Sequence, residues 1–230
     1  MKTGSSETAG YGLAFPLGFE SGTAFPFAMM VFSEEALAGL ARTGFHGVEL
    51  VVRDPNAVPW EALAEGLEST GLQVASIEAL PDPEAYTGGL ASMDDTVRAA
   101  AIRLVRQLIR EARILQCPVH LTAWCGPALR ESGPLVLRRD DAFRILGDIA
   151  ADHGVSLTVS PHWSGDPVTA DTVAEVLAWR ERLSRPNVGL QLDSLYLHAM
   201  EGAPTAALVV AGAHCGHIVL SDTLRQIRGH

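Results

Sequence analysis

Several side chains that could move protons stand where apolar runs of the chain end. Asp193 closes one such run, His162 follows another, and Glu49 lies inside a third. Carboxylates and imidazoles are the side chains that most often act as general bases and acids near neutral pH. A carboxylate at the end of an apolar strand is also costly to desolvate, which favours a functional role for Asp193. The pattern predicts proton transfer, with Asp193, His162 and Glu49 as candidate catalytic residues.

Each of these residues also has a purely structural interpretation. Asp193 could only hold the loop after its strand, His162 could stack on Trp163, and Glu49 could form an ion pair with Arg53. The sequence leaves these alternatives open.

Aromatic and polar side chains near the same run ends could bind a small substrate, because aromatic rings commonly line pockets. The candidate substrate-binding residues are Trp124, Trp163, Ser160, Tyr196, Asp222 and Arg225. Asp222 and Arg225 could instead close the last loop as an ion pair. Glu78 ends another run, whereas His120 and His217 lie within runs and are interpreted as core histidines. Cys125 has no His or Asp in a recognisable pattern nearby and is interpreted as a small buried residue.

The elements that position these side chains alternate between short β-rich runs and amphipathic helical stretches. This alternation is typical of a parallel sheet covered by helices. The predicted strands are 47–52, 72–79, 118–123, 156–161, 188–193 and 217–222, with an earlier strand between Leu13 and Phe32. Seven strands are therefore recognisable.

Capping signals predict the helices between those strands. A capping Ser33 precedes a helix that stops at Gly44, and Pro59 opens a helix that ends at Gly71. The other predicted helices run from Asp94 or Asp95 to Gln116, from Asp140 or Asp141 to His153, and from Thr169 to Ser184.

Strand spacing predicts a single TIM-type (β/α) barrel. Strands begin roughly every 25 to 45 residues, and the glycine-rich turns of doubly wound nucleotide-binding sheets are absent. We expect a flexible N-terminus over residues 1–10 and one barrel domain over residues 11–230. An eighth strand is either missing or replaced by the N-terminal segment 11–19.

Composition and net charge indicate which partners and which cell compartment to expect for this protein. The net charge of -10 opposes binding to nucleic acid. Three cysteines suit reduced thiols, and neither an export signal nor a membrane span is recognisable. We therefore expect a cytoplasmic protein without disulfides that binds a small-molecule substrate, with no nucleic acid or membrane partner. A homo-oligomer could cover the open edges of an incomplete barrel.

Several segments together resemble the sugar phosphate isomerase/epimerase family of xylose-isomerase-like TIM barrels. The segment SEEALAGLARTGFHGVEL is similar to that family's first helix and second strand, with His46 where the family usually has Asp. The segments DHGVSLTVSPHW, RPNVGLQLDSLY and GHIVLSDTLRQIRGH resemble strands five, six and seven. The resemblance spans residues 17–230 and implies the barrel fold.

The resemblance also implies a divalent metal site, from which this chain departs. In the family, carboxylates on strands five and eight, an Asp on strand six and a His on strand seven hold the metal ion. Here Asp193 matches on strand six, but Ser160 and Val219 occupy the strand-five and strand-seven positions, and Tyr196 replaces a nearby His. Asp222 and Arg225 match the family pattern after strand seven. We therefore expect no cofactor, with a divalent metal as the alternative.

Two function classes follow from the resemblance and its departures. The first is an isomerase or epimerase that transfers a proton next to a carbonyl group of a small polyhydroxylated substrate, with a lyase or dehydratase as a variant. The second is a degenerate, non-catalytic barrel that acts as a ligand-binding or partner subunit. DNA repair of the endonuclease IV kind is disfavoured, because the several His and carboxylate metal ligands of that chemistry are not present.

Overall fold

The computed structural model describes residues 12–19, 32–81, 89–121, 124, 132–161 and 171–221, which form one parallel sheet with helices. The seven strands pair in chain order. They are β1 (Ala14–Gly18), β2 (Gly47–Val52), β3 (Gln73–Ala79), β4 (Val119–His120), β5 (Leu157–Val159), β6 (Val188–Asp193) and β7 (Cys215–Val219).

One helix follows each of the first five strands, and two follow β6. The helices are α1 (Glu34–Arg42), α2 (Trp60–Thr70), α3 (Asp95–Leu115), α4 (Pro134–Asp152), α5 (Val173–Leu183), α6 (Ser194–Met200) and α7 (Pro204–Ala211). This repeated strand and helix order is that of a TIM-type barrel.

The sheet curls around its polar face. Because β2 and β7 are five positions apart in the sheet, they would be about 24 Å apart if it were flat. Instead, Nε2 of His217 on β7 lies 3.8 Å from Oε1 of Glu49 on β2. Such an approach requires β2 and β7 to bend toward each other, so the described strands form a curled sheet like part of a barrel wall. Among the described residues, no ladder pairs β7 with β1.

The strands confirm the predicted number and order. The bounds of β2 and β6 match the predicted runs, and β7 begins two residues before its predicted start. The segment considered as a replacement for an eighth strand instead supplies β1, which pairs with β2 in the ordinary first position. Residues 1–11 lie outside the described part of the chain, so the boundary predicted there remains a prediction.

Most helix ends follow the predicted capping. Ser33 Oγ accepts from Ala36 N at the start of α1, Asp94 caps α3, and Gly71 takes the left-handed conformation after α2. The start of α5 is also capped, by Thr172, whose side chain and that of Glu175 form a reciprocal capping box.

The predicted start of α4 was wrong. This helix begins at Pro134, six residues before Asp140. Proline at the first position has the backbone angle that a helix needs, and Gly133 precedes it with a φ of 123°. Asp140 is not a cap: its Oδ1 accepts from Trp179 Nε1 at 2.9 Å and from Arg139 Nε at 3.0 Å. A buried hydrogen-bond network between α4 and α5 therefore explains this acidic residue.

Two further features bear on the predicted cell compartment. Cys117 and Cys215 are free thiols, and Cys125 lies outside the described residues. No helix within the described ranges is long and apolar enough to cross a membrane. The cytoplasmic location remains a prediction.

A close backbone approach between β2 and β3 gives a first test of this register. A Cβ atom at Gly47 would lie 2.4 Å from the backbone carbonyl oxygen of Gln73, which cannot move without breaking the sheet. We expect Gly47→Ala to lower the free energy of unfolding by about 2–3 kcal/mol in urea titrations. Gly216→Ala, also in a strand but with no atom within 4 Å of its Cβ position, is the matched control and should change it by less than about 0.5 kcal/mol. Equal effects of the two substitutions would contradict the β2–β3 register.

Candidate active site

A layer of buried polar side chains lines the concave face of the sheet. These residues alternate along the strands with aliphatic residues such as Leu50 and Ile77, as the two-residue period of a strand requires. The buried polar members on strands are Glu49, Ser76, Glu78, His120, Thr158 and Gln191. Buried polar groups need partners, and these side chains find many of theirs in one another.

Glu49 is held by groups on two distant strands. Ser76 Oγ on β3 donates to Glu49 Oε1 at 2.8 Å, and His217 Nε2 on β7 lies 3.8 Å from the same oxygen. Arg53, the ion-pair partner considered from the sequence, donates instead to the carbonyl oxygen of Pro81. Glu49 therefore belongs to the interior layer.

Glu78 and His120 meet at the carboxyl ends of β3 and β4. They are register partners on adjacent strands, and Glu78 Oε2 lies 3.5 Å from His120 Nε2. The other ring nitrogen, His120 Nδ1, lies 3.0 Å from Thr158 Oγ1 on β5. Ser160, which directly follows β5, places its Oγ 3.3 Å from His120 Nε2. The histidine ring is thus held at both nitrogens.

Burial drives the pKa values of this pair in opposite directions. Desolvation, and then the nearby negative charge of Glu49, raises the pKa of Glu78 well above its ordinary value. Desolvation, and then His217, lowers the pKa of His120 to about 3. Both shifts favour the uncharged form of the group, the carboxylic acid for Glu78 and the neutral imidazole for His120.

Asp193 ends β6 and begins α6. Its Oδ1 accepts from the backbone nitrogens of Leu195 at 2.7 Å and Tyr196 at 3.2 Å, and also from Ser221 Oγ. The three donors fix the carboxylate in place at the carboxyl end of its strand. All three of these hydrogen bonds, made within the described part of the chain, involve Oδ1 rather than Oδ2.

Two predicted substrate-binding residues are buried and hydrogen-bonded to the backbone, and their role in substrate binding stays a prediction. Trp124 is buried and donates from Nε1 to the carbonyl oxygen of Ala79 at 2.9 Å. Tyr196 is buried and donates from its hydroxyl to the backbone oxygen of Asp171. Four other predicted residues lie outside the described part of the chain, and their assignments remain predictions: His162, Trp163, Asp222 and Arg225.

The sequence alone gives no role to Glu78 and predicts a core histidine at His120. Both are buried, but they stand at the carboxyl ends of neighbouring strands, where TIM-barrel enzymes place their functional groups. The signal that could have linked them is strand register, because Glu78 and His120 are aligned only once β3 and β4 are paired.

Among the described residues, the side chains at the positions where the family resemblance implies metal ligands offer few donor atoms to a divalent metal ion. At the described family positions stand the hydroxyl of Ser160, the helix-capping carboxylate of Asp193, and the side chain of Val219, which has no donor atom. Hard cations need several oxygen ligands, and transition metals need a set of imidazoles and carboxylates. Within the described residues, no group of three or more His, Cys, Asp or Glu side chains could hold a metal ion.

Comparison with known proteins agrees with the architecture. Residues 37–230 match the family described as xylose isomerase-like TIM barrel. The chain belongs to that family. The curled parallel sheet of the described residues corresponds to seven strands of a TIM-type fold.

Its relatives include sugar epimerases. An L-ribulose 3-epimerase from Methylomonas sp. is 25% identical over 206 residues, which span 86% of this chain and 69% of that protein. The structure of D-psicose 3-epimerase with D-tagatose from Clostridium cellulolyticum H10 superposes with a TM-score of 0.74 at 15% identity, over 96% of this chain and 76% of that one. The 3-keto-D-glucoside 4-epimerase from E. coli superposes with a TM-score of 0.69 at 16% identity, over 91% and 79% of the two chains.

The buried histidine predicts a pH dependence of stability. The unfolded chain binds a proton at His120 near pH 6.5, whereas the folded chain binds it only near pH 3, so protonation favours unfolding between these values. We expect acidification from pH 6.5 to pH 4 to be more destabilising, by the change in the free energy of unfolding, in the wild type than in His120→Gln. Because Glu78 acts with the opposite sign above its ordinary pKa, the wild type and the variant must be compared over the same interval. Parallel curves for the two proteins in urea titrations would contradict a neutral buried His120.

Proposed function

We propose that this protein is an isomerase or epimerase that transfers a proton next to the carbonyl group of a small polyhydroxylated substrate without a metal ion. The observation that supports it is the cluster of carboxyl and imidazole groups at the carboxyl ends of the strands, in a family whose relatives here include sugar epimerases. Active sites of TIM barrels lie at that end.

Asp193 is the proposed base. Among the described positions where the resemblance implies metal ligands, Asp193 is the residue that matches, and its Oδ1 is fixed by three donors. A fixed carboxylate with one oxygen left for the substrate suits abstraction of a proton from carbon. His162, predicted from the sequence as an acid or base, is the proposed partner from the loop after β5.

We propose metal independence because the described residues at the family's metal-ligand positions offer few donor atoms to a cation. With Ser160 and Val219 at two family positions, the charge that develops on the substrate oxygen must be stabilised by hydrogen-bond donors of the chain. The lyase variant needs an additional acid for a leaving hydroxyl group, and no described contact favours it.

The alternative function, a non-catalytic partner subunit, is supported by a different observation. Aliphatic side chains are exposed on α7, on β7 and directly after β7, and the outer edge of β7 is unpaired in the described sheet. These side chains are Leu208, Val209, Val210, Ile218 and Leu220. Exposed apolar patches of this kind often mark interaction sites. The homo-oligomer expected from the sequence remains a prediction, and absence of turnover together with a dimer mass would favour this alternative.

The proposal is tested by turnover after removal of divalent cations. Protein dialysed against EDTA is incubated in D2O with L-ribulose, D-psicose, D-tagatose and dihydroxyacetone phosphate, and deuterium entry at carbon is followed by NMR. We expect exchange with at least one compound, and a fall in kcat of about 10²-fold or more in Asp193→Asn. The amide oxygen keeps the helix cap, and a melting curve confirms folding.

Asp152→Asn, an exposed carboxylate at the far end of α4, is the matched control and should leave kcat unchanged. Failure of the wild type to exchange any of the four compounds would contradict the proposed function. Exchange that appears only after Mn²⁺ or Mg²⁺ is restored would contradict metal independence alone.

A further inference from the structure

Glu78 and His120 form a pair of buried groups to which the family resemblance gives no role. Glu78 is 8% exposed and His120 is 2% exposed. They come from adjacent strands, and both stand at the carboxyl end of the sheet, like Asp193. A buried pair of titratable groups at this end needs either a structural or a chemical explanation.

We propose that Glu78 and His120 form an oxyanion-binding site, in which the carboxylic acid O–H and the Nε2–H donate to the substrate oxygen that becomes negatively charged. The proposal rests on the proposed function, because it assigns the groups that stabilise the same enolate. It deepens that function by naming two residues that touch the substrate.

The distances suit a shared acceptor. Glu78 Oε2 and His120 Nε2 are 3.5 Å apart, which is too long for a strong hydrogen bond between them. An oxygen atom can lie at about 2.8 Å from both atoms at once, which is an ordinary hydrogen-bond distance. Ser160 Oγ, at 3.3 Å from Nε2, shows that a hydroxyl oxygen can approach this nitrogen, and Ser160 is only half-buried. Substrate can therefore approach from the Ser160 side.

The hydrogen bond between Thr158 and His120 is compatible with the tautomer that the proposal needs. If Thr158 Oγ1 donates to Nδ1 at 3.0 Å, the ring proton is on Nε2, which faces Glu78 and Ser160. Thr158 is thus a positioning residue. The directions of the pKa shifts agree with this arrangement, because a raised pKa favours the protonated form of Glu78 and a lowered pKa favours neutral His120. Neutral donors in a dry site can stabilise an enolate oxygen without giving up their protons.

The reaction balances with the groups present. Asp193 Oδ2 takes the proton from the carbon next to the carbonyl, and the C–H electron pair becomes the C=C bond of the enolate. The carbonyl π pair moves to oxygen, where Glu78 and His120 donate hydrogen bonds and keep their protons. A second acid on the opposite face then donates a proton to the same carbon, the C=C pair forms the new C–H bond, the carbonyl group re-forms and the epimer results, while Asp193 releases its proton to solvent.

Substitutions at Glu78 distinguish a role as hydrogen-bond donor from a role as catalytic base. Gln at this position is a neutral donor that cannot ionise, whereas Leu has no donor. We expect Glu78→Gln to keep kcat within about tenfold of the wild type, and Glu78→Leu to lower it by about 10²- to 10³-fold, as for removal of one oxyanion-hole donor. If Glu78 were the catalytic base, Glu78→Gln would be as inactive as Glu78→Leu, and the proposal would be wrong.

The dependence of kcat on pH distinguishes a chemical role of Glu78 from a role in packing alone. The groups that face Glu78 are Glu49 from β2, His120 from β4 and, beyond Glu49, His217 from β7. Ionisation of Glu78 at high pH removes its donor, so wild-type kcat should fall on the alkaline side. We expect Glu78→Gln to lose this alkaline limb. Glu49→Gln should move the limb to lower pH, because it removes the negative charge that raises the pKa of Glu78. An unchanged alkaline limb in both variants would overturn the assignment.

Two further measurements test the protonation state and the tautomer of His120, independently of whether the Glu78 variants fold. Nitrogen-15 NMR of the substrate-free protein should show His120 neutral with its proton on Nε2 down to about pH 4, and a charged ring at pH 6 would overturn the proposal even if Glu78→Leu failed to fold. Thr158→Val should disturb this tautomer and lower kcat, and Thr158→Ser should restore both. Normal wild-type turnover with failure of these expectations rejects the oxyanion site alone, whereas loss of all wild-type exchange rejects the proposed function and this site together.

Discussion

The structure depends on closing a parallel sheet around ionisable side chains. Aliphatic residues on the outer face of the strands pack under the helices, and the inner face places Glu49, Glu78 and His120 in a layer with little access to water. Isolated charges in such a layer would cost several kcal/mol each. The fold avoids this cost by hydrogen bonds across strands and by favouring the uncharged forms of Glu78 and His120.

The curling of the sheet affects both the stability of the protein and the proton transfer proposed for it. Neutral donors are useful where negative charge develops, and they remain neutral only while the sheet shields them from solvent. Asp193 differs from them because it lies at the rim and accepts three hydrogen bonds, two of them from the first turn of α6. A fixed carboxylate at the rim and uncharged donors inside are a suitable division of roles for moving a proton next to a carbonyl.

Strand and helix periodicity predicted the sheet well because it records which faces are buried. The bounds of β2 and β6, the seven strands and the caps at Ser33 and Asp94 all follow from local pattern. Asp140 misled the placement of α4, since an acidic residue that accepts a buried hydrogen bond resembles a helix cap in sequence. The pairing of Glu78 with His120 could not be predicted, because it depends on a register between strands forty residues apart in the chain.

A double-mutant cycle between β2 and β7 tests the closure of the sheet most directly. The free energy of unfolding is measured at about pH 5.5 and low salt for the wild type, Glu49→Gln, His217→Gln and the double variant. With Nε2 and Oε1 only 3.8 Å apart, we expect a coupling free energy of about 0.5–1 kcal/mol. Strictly additive effects, as for residues more than about 10 Å apart, would contradict the curled sheet and the interior cluster that depends on it.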